Sequence, residues 1–330
     1  MTRRSVLVTG GAGFIGSALV RRLVTDGHHV RVLDDLSRGT PRRLEDLAGR
    51  IDLVAGDVRD PAAVRRACDG VDLVWHLASV NGTRLFYEEP ERVLDVGVRG
   101  MLNVIDATLA AGVRELFVMS SSEVYQTPPA VPTDETAPLS IPDPLNPRYS
   151  YAGAKIISEL LTLNFGRTSY SRVVIVRPHN VYGPDMGWEH VIPQLVVRAA
   201  RLAQGSKGAI ALPIQGTGAE TRAFVFIDDL VDGLALLMER GEHRTIYHVG
   251  NDDEVTIATL AAKIGRALGR DVTVTPGAPA AGGTRRRCPD IRRMRALGYR
   301  PRVTLDDGLA PTVRWYVSHV DSAPLEATSA

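Results

Sequence analysis

Thr9-Gly10-Gly11-Ala12-Gly13-Phe14-Ile15-Gly16 is the stretch on which the reading of this 330-residue chain turns. It stands between a short β-branched run, Val6–Thr9, and an amphipathic helical window, Ala18–Thr25. A strand that turns through glycines into a helix aims free backbone N–H groups and the positive end of the helix dipole at one point, where a pyrophosphate binds. The glycines leave out the Cβ atoms that would obstruct that approach. A glycine triad also suits a tight turn with no ligand, so the surrounding sequence has to decide.

Outward from that turn, β-branched runs alternate with helical windows: Val30–Leu33, a helix near Leu44, Leu53–Ala55, a helix near Ala62–Cys68, Leu73–Leu77, a helix over Val93–Ala111, and Leu116–Ser120. Five strands before residue 121, with Val173–Arg177 a sixth, predict βαβ units and an α/β fold with a doubly wound, Rossmann-like parallel sheet. Asp34 ends the second strand about 20 residues beyond the turn, where a carboxylate accepts hydrogen bonds from an adenosine ribose and repels a 2′-phosphate. That favours NAD over NADP. Arg38 is the counterweight, either as a phosphate partner or as a solvated surface charge. With Gly10, Gly13, Phe14, Ile15 and Gly16, the cofactor set takes in Asp57-Val58 at the end of the third strand and Leu77-Ala78 at the end of the fourth. His76 beside them reads as structural.

Composition sets the outer limits. Apolar residues make up 44%, charged residues 23%, and the net charge is +1, an ordinary globular balance. Eight arginines between 285 and 302 form a basic run, but no aromatic stacking set accompanies it, so no nucleic-acid partner is expected. Cys68 and Cys288 are too few for a disulfide framework, which points to a reducing cytoplasm. No apolar run reaches the roughly 18 to 20 residues of a membrane span, so no membrane association is expected. Residues 126–148 carry seven prolines and read as a long surface loop. The domain reading is 1–178 for the dinucleotide-binding domain, 179–320 for a smaller lobe interleaved with it, and 321–330 for a tail that frays. The lobe is built from a helix at 190–203, strands near Ile210, at Phe224–Ile227 and at Tyr247–Val249, and helices at 228–239 and 256–268.

Tyr151 and Lys155, four apart on a predicted helix, face one groove and suit proton transfer. A nearby ammonium and a cationic nicotinamide both favour phenolate over phenol.

Taken together, the glycine turn, Asp57-Val58, His76-Leu77-Ala78, Ser120-Ser121-Ser122, Tyr151/Lys155 and Arg177-Pro178-His179-Asn180-Val181-Tyr182-Gly183-Pro184 resemble the extended short-chain dehydrogenases that epimerise, dehydrate or decarboxylate nucleotide sugars. The resemblance covers nearly the whole chain. It implies that Ser121 hydrogen-bonds the sugar O4, Tyr151 takes its proton, and Lys155 holds the nicotinamide ribose. It implies that Asn180 and Arg222 contact the diphosphate, helped by the run Arg285-Arg286-Arg287, of which Arg287 is a substrate contact. It also implies a homodimer paired through the helices at 93–111 and 151–165. Three positions depart from the family pattern: Gly97 in place of an asparagine, Ala223 in place of an acid, and Gln126 in place of a glycine.

Once C4 is a ketone, three outcomes compete: 4-epimerisation, 4,6-dehydration and, for a C6 carboxylate, decarboxylation. Glu123 matches the glutamate of dehydratases and decarboxylases in the resembled family. The dehydratase acid before it is Ser122 here, and no basic residue follows Gly183-Pro184. Ser122, within the three consecutive serines, is expected to hold a hydroxyl or carboxylate at C6 without chemistry. The balance favours a 4-epimerase of a UDP-sugar, with a dehydratase or decarboxylase using Glu123 as the alternative. A non-catalytic NAD-sensing or scaffold protein on the same fold is the reading from another class.

Overall fold

The apolar runs become parallel strands, and their order places the glycine turn at a crevice. A computed structural model describes residues 2–204, 208–278 and 284–324. Strands β1 (Ser5–Thr9), β2 (His29–Asp34), β3 (Ile51–Ala55), β4 (Leu73–His76), β5 (Glu115–Met119) and β6 (Arg172–Pro178) form the main sheet with Thr245–Val249, in the order 3-2-1-4-5-6 followed by that last strand. Every pair is parallel. Order reverses between β1 and β4, and at such a switch point the carboxyl ends of the strands leave a ligand crevice.

Side-chain alternation feeds a separate apolar cluster on each face. Val6, Val8, Val32, Trp75 and Phe117 point to one, where α1 (Phe14–Thr25) contributes Leu19 and Leu23. Leu7, Leu33, Val74 and Leu116 point to the other, with Val64 of α2 (Pro61–Cys68). The predicted helix over 93–111 joins that face in pieces. After α3 (Thr83–Glu88) come α4 (Pro90–Leu94), a π-helical turn at Asp95–Arg99 and α5 (Gly100–Ala110). Gly97 lies in the π turn, and a Cβ there would stand 2.6 Å from the Cβ of Ala154. The departure from asparagine thus lets this turn touch the next helix, α6 (Ser150–Phe165).

The remaining elements are β7 (Val181–Tyr182), α7 (Val191–Gln204), β8 (Ile210–Ile214), β9 (Thr221–Ala223), β10 (Val225–Phe226), α8 (Ile227–Arg240), β11 (Thr245–Val249), β12 (Glu254–Thr256), α9 (Ile257–Ala267), β13 (Val272–Pro276), β14 (Arg286–Arg287), α10 (Arg292–Leu297) and α11 (Leu305–Ser318). β11 closes the main sheet beside β6, so the two predicted domains share one sheet.

Some local readings change. The helix expected near Leu44 is a 3₁₀ segment, Pro41–Leu47. The expected strand at Phe224–Ile227 shortens to β10, which pairs with β7, because α8 already begins at Ile227; β9 lies just before it and pairs with β12 and β14. The tail starts docked: Val320–Ser322 forms a turn, Ala323 is buried, and Arg201 donates to the carbonyls of Val320 and Ala323. Residues 325–330 of the expected tail lie outside the described residues. No helix among the described residues is long and apolar enough to cross a membrane.

Candidate active site

A cleft of about 380 Å³ opens along the carboxyl ends of β1, β2, β4, β5 and β6. Its floor is the glycine turn. Gly13 stands at the N-cap of α1 with no side-chain hydrogen bond, so no side chain occupies the site that the first-turn amides present. A Cβ on Gly16 would lie 2.1 Å from the Gly10 carbonyl, and one on Gly10, at φ +71°, 2.8 Å from the Ala78 nitrogen. The turn is therefore closed to side chains and shaped for a pyrophosphate. Asp34 is buried, and its carboxylate accepts from the Ala12 and Leu36 amides at 2.9 Å each, which fixes it at the rim. Burial raises its pKa, partly offset by those two amides. Gly10, Gly13, Phe14, Ile15, Gly16, Asp34, Asp57, Val58, Leu77 and Ala78 all line the cleft. Asp57 is also held by Arg59 at 2.6 Å. His76 hydrogen-bonds Thr9 Oγ1 at 2.8 Å, and burial with help from Lys155 pushes it down to about 3, a neutral structural histidine.

Helix α6 presents Tyr151 and Lys155 to the cleft, as their spacing requires. Lys155 Nζ donates to the Met119 carbonyl at 2.7 Å and lies 5.6 Å from the Tyr151 ring centroid. Burial pushes Lys155 down to about 8, opposed by Glu159 one turn further on. Burial likewise pushes Tyr151 up to about 12, offset in part by hydrogen bonds to Ser121 and Ser79, while Glu123 raises it further. The sequence reading of a phenol tuned downward is thus altered, because desolvation outweighs the hydrogen bonds. Phe86, stacked 5.0 Å from Tyr151, fixes its ring.

Ser121 caps the 3₁₀ turn Ser122–Tyr125 by accepting from the Glu123 amide at 3.2 Å. Gln126, where the family pattern has glycine, stands at φ +52°, a backbone region glycine enters freely, and its Nε2 donates to the Glu123 carbonyl at 2.6 Å. Below the turn lies a buried network. Ser120 donates to Glu159 at 2.5 Å, Arg177 pairs with Glu159 at 2.5 Å, and Tyr125 bridges Arg177 to His248.

Glu123 is ion-paired with Arg287 at 2.6 Å. Burial pushes its carboxyl up, but Arg287, with Arg148 and Arg222 behind it, outweighs burial and holds it below the ordinary carboxylate range. Asn180 lines the cleft at φ +42° while its amide donates to the Ala223 carbonyl at 2.8 Å. Arg222 is not among the lining residues. Its guanidinium donates to the Thr221 and Thr284 carbonyls at 2.7 Å each, and burial lowers it to about 10. The arginine run divides: Arg287 faces the cleft, Arg286 pairs with Glu254 at 2.6 Å, and Arg285 is exposed. The sequence reading missed Phe86, Ser79, Arg148, His190 and Glu159. Only Glu159 carried a signal, since it lies four residues beyond Lys155 on the same helix face.

A switch-point crevice, a glycine turn closed to side chains and a tyrosine and lysine on one helix define a Rossmann-type, dinucleotide-dependent enzyme class. The comparisons are specific: residues 6–250 match the model of the NAD dependent epimerase/dehydratase family, and the chain belongs to that family. It is 31% identical over 319 residues to UDP-glucuronic acid decarboxylase 1 of Xenopus tropicalis, covering 95% of this chain and 72% of that one. It is 33% identical to UDP-glucose 4-epimerase of Mycolicibacterium smegmatis, covering 94% and 97%. A dTDP-glucose 4,6-dehydratase structure from Streptomyces venezuelae, with NAD bound, superposes at a TM-score of 0.84, 34% identical, covering 96% and 98%. The family comprises nucleotide-sugar epimerases, dehydratases and decarboxylases, and its cofactor is NAD.

Proposed function

We propose that this chain is a nucleotide-sugar 4-epimerase that acts on a UDP-sugar through a transient 4-keto intermediate. NAD, when bound, supplies the hydride acceptor for C4 and the donor that restores it. Tyr151 takes the C4 hydroxyl proton, Ser121 holds that oxygen, and Lys155 sets the electrostatics around the phenol. The same tyrosine returns the proton when the ketone is reduced. The observation that carries this choice is the Glu123–Arg287 pair at 2.6 Å. Dehydration needs an acid to protonate the departing C6 hydroxyl. Glu123 is held ionised and its predecessor is Ser122, so that proton donor is missing. Epimerisation needs none.

A second reading, decarboxylation of a UDP-hexuronate, is favoured by one observation. Arg287 contacts the single carboxylate of Glu123 while Arg148 and Arg222 act on it electrostatically, a cationic surplus that suits a further carboxylate. Relatives named as decarboxylases of UDP-glucuronic acid and of a UDP-N-acetyl-glucosaminuronate add to it.

Mass spectrometry of the protein incubated with NAD and a panel of UDP-hexoses and UDP-hexuronates decides between them. Unchanged mass with a new retention time supports epimerisation, loss of carbon dioxide the second reading, and loss of water refutes both. Glu123→Gln is expected to keep turnover within a few-fold. A drop of about a hundredfold or more, the scale of a lost acid–base group, would sink the 4-epimerase reading.

A further inference from the structure

The segment 183–189 crosses from the C-terminal lobe to the cleft, where Met186 and Gly187 line the wall. Its two carboxylates each meet two arginines of the dinucleotide-binding side. Asp185 pairs with Arg42 at 2.7 Å and with Arg43 through two oxygens at 2.9 and 3.1 Å. Glu189 stands 3.8 Å from Arg38 and 3.5 Å from Arg84. Three of these arginines follow β2 and the fourth lies in α3, after β4, so both pairs join the segment to loops that rim the cofactor cleft. Arg43 also donates to the Ala12 carbonyl at 3.3 Å, inside the glycine turn itself.

Local backbone is shaped for these contacts. Gly82, at φ +145°, is approached so closely by Glu189 Oε2 that a Cβ would lie 2.2 Å from it. Asp185 takes φ +59°, a region that aspartate and asparagine tolerate better than most residues. The far side of the segment is anchored. Trp188 packs 5.7 Å from Trp315 and 5.2 Å from Tyr316 of α11, and the Tyr316 hydroxyl donates to the Gly187 carbonyl at 2.6 Å. An apolar anchor at the back and charged contacts at the front describe a segment on the cleft wall that is held by packing on one side and by ion pairs on the other. The side chains of Arg43 and Asp185 are only 14% and 19% exposed, so that contact is screened less than a surface pair.

We propose that Asp185 and Glu189 form a two-point electrostatic strap that retains NAD in the cleft between turnovers. Any reaction that gives back the hydride it removes never requires the cofactor to leave, so the strap serves epimerisation and decarboxylation alike. The proposal depends on the cofactor and not on which of those reactions the chain performs.

The test measures NAD dissociation from holoenzyme, by rapid dilution and quantitation of retained nucleotide, for the unaltered chain and for Asp185→Asn/Glu189→Gln. Those changes keep side-chain shape and the left-handed position while removing both charges. The expected result is release at least about tenfold faster in the double variant, since altered contacts act mainly on dissociation. Release from the unaltered chain should also quicken in about 0.5 M salt, and the variant should lose most of that response. The melting temperature of the cofactor-free protein, followed through tryptophan fluorescence, should fall by a few degrees only, since Arg43 loses a partly buried partner whether or not NAD is bound. Release rates that agree within twofold would overturn the proposal. So would faster release accompanied by loss of the cooperative cofactor-free melting transition, which would assign the pairs to docking of the segment rather than to the cofactor. Sugar turnover enters neither readout.

Discussion

Replacing Lys155 with methionine should raise the pKa of Tyr151 and shift the pH dependence of the whole reaction. The ammonium lies 5.6 Å from the centroid of the phenol ring, over which a phenolate spreads part of its charge. At that separation and an effective permittivity of about 20, opposite unit charges interact by about 3 kcal/mol, or roughly two pKa units on the phenol. Tyr151 already starts high, pushed up to about 12 by burial, so every unit further lowers the phenolate fraction tenfold. At pH 7 the variant should therefore turn over about a hundredfold more slowly with NAD and sugar saturating, and its rate should climb about tenfold per pH unit. Lys155 is itself depressed to about 8, so the unaltered enzyme loses its ammonium above that pH. The two profiles should converge on the alkaline side. The assay is kcat against pH for both proteins, with cofactor occupancy checked by absorbance at each point. A loss of the same size at every pH would refute the reasoning, because it would mean that Lys155 only holds the cofactor in place.

Stability should fall on mild acidification. His76 and His248 are buried and pushed down to about 3, so the native chain leaves them neutral while the unfolded chain binds protons below about 6.5. The unfolded state then holds more protons, and stability is lost as pH falls from about 6.5 toward 3. By pH 5 the two together cost about 4 kcal/mol, a fall of about 6 °C in Tm for a chain of this length, and a scanning-calorimetry Tm that is flat from pH 7.5 to 5 would contradict it. Gly97→Asn, which restores the family's usual residue, should lower Tm by about 2–4 °C, because its Cβ meets Ala154. Adding Ala154→Gly should recover most of the loss, and no recovery would place the strain elsewhere.

Much of the fold was legible because it rests on local patterns. Runs such as Val30–Leu33 and Leu73–Leu77 had strand length, the glycine turn marked the first βα junction, and Tyr151 and Lys155 faced one way by helical arithmetic alone. Local pattern fails where partners are remote. Arg285, Arg286 and Arg287 are equivalent in sequence, yet only Arg287 reaches the cleft, because the pairing of β14 with β9 sets which side chain turns inward. Asn180 and Arg222 were read together as diphosphate contacts. Only Asn180 lines the cleft, while Arg222 donates to carbonyls on β9 and its neighbour Thr284.

The sequence by itself determined the parallel sheet, the glycine turn at the first βα junction and the shared face of Tyr151 and Lys155, because each is written in contiguous spacing or residue chemistry. The tertiary structure alone decided the state of Glu123. Its ionisation depends on Arg287, 164 positions away, outweighing the penalty of burial. It also decided that Asp185 and Glu189, two ordinary loop acids in the sequence, meet four arginines beside the cleft. Charges so distant along the chain acquire a partner only when the fold brings them within a few ångströms, and no local propensity encodes that distance.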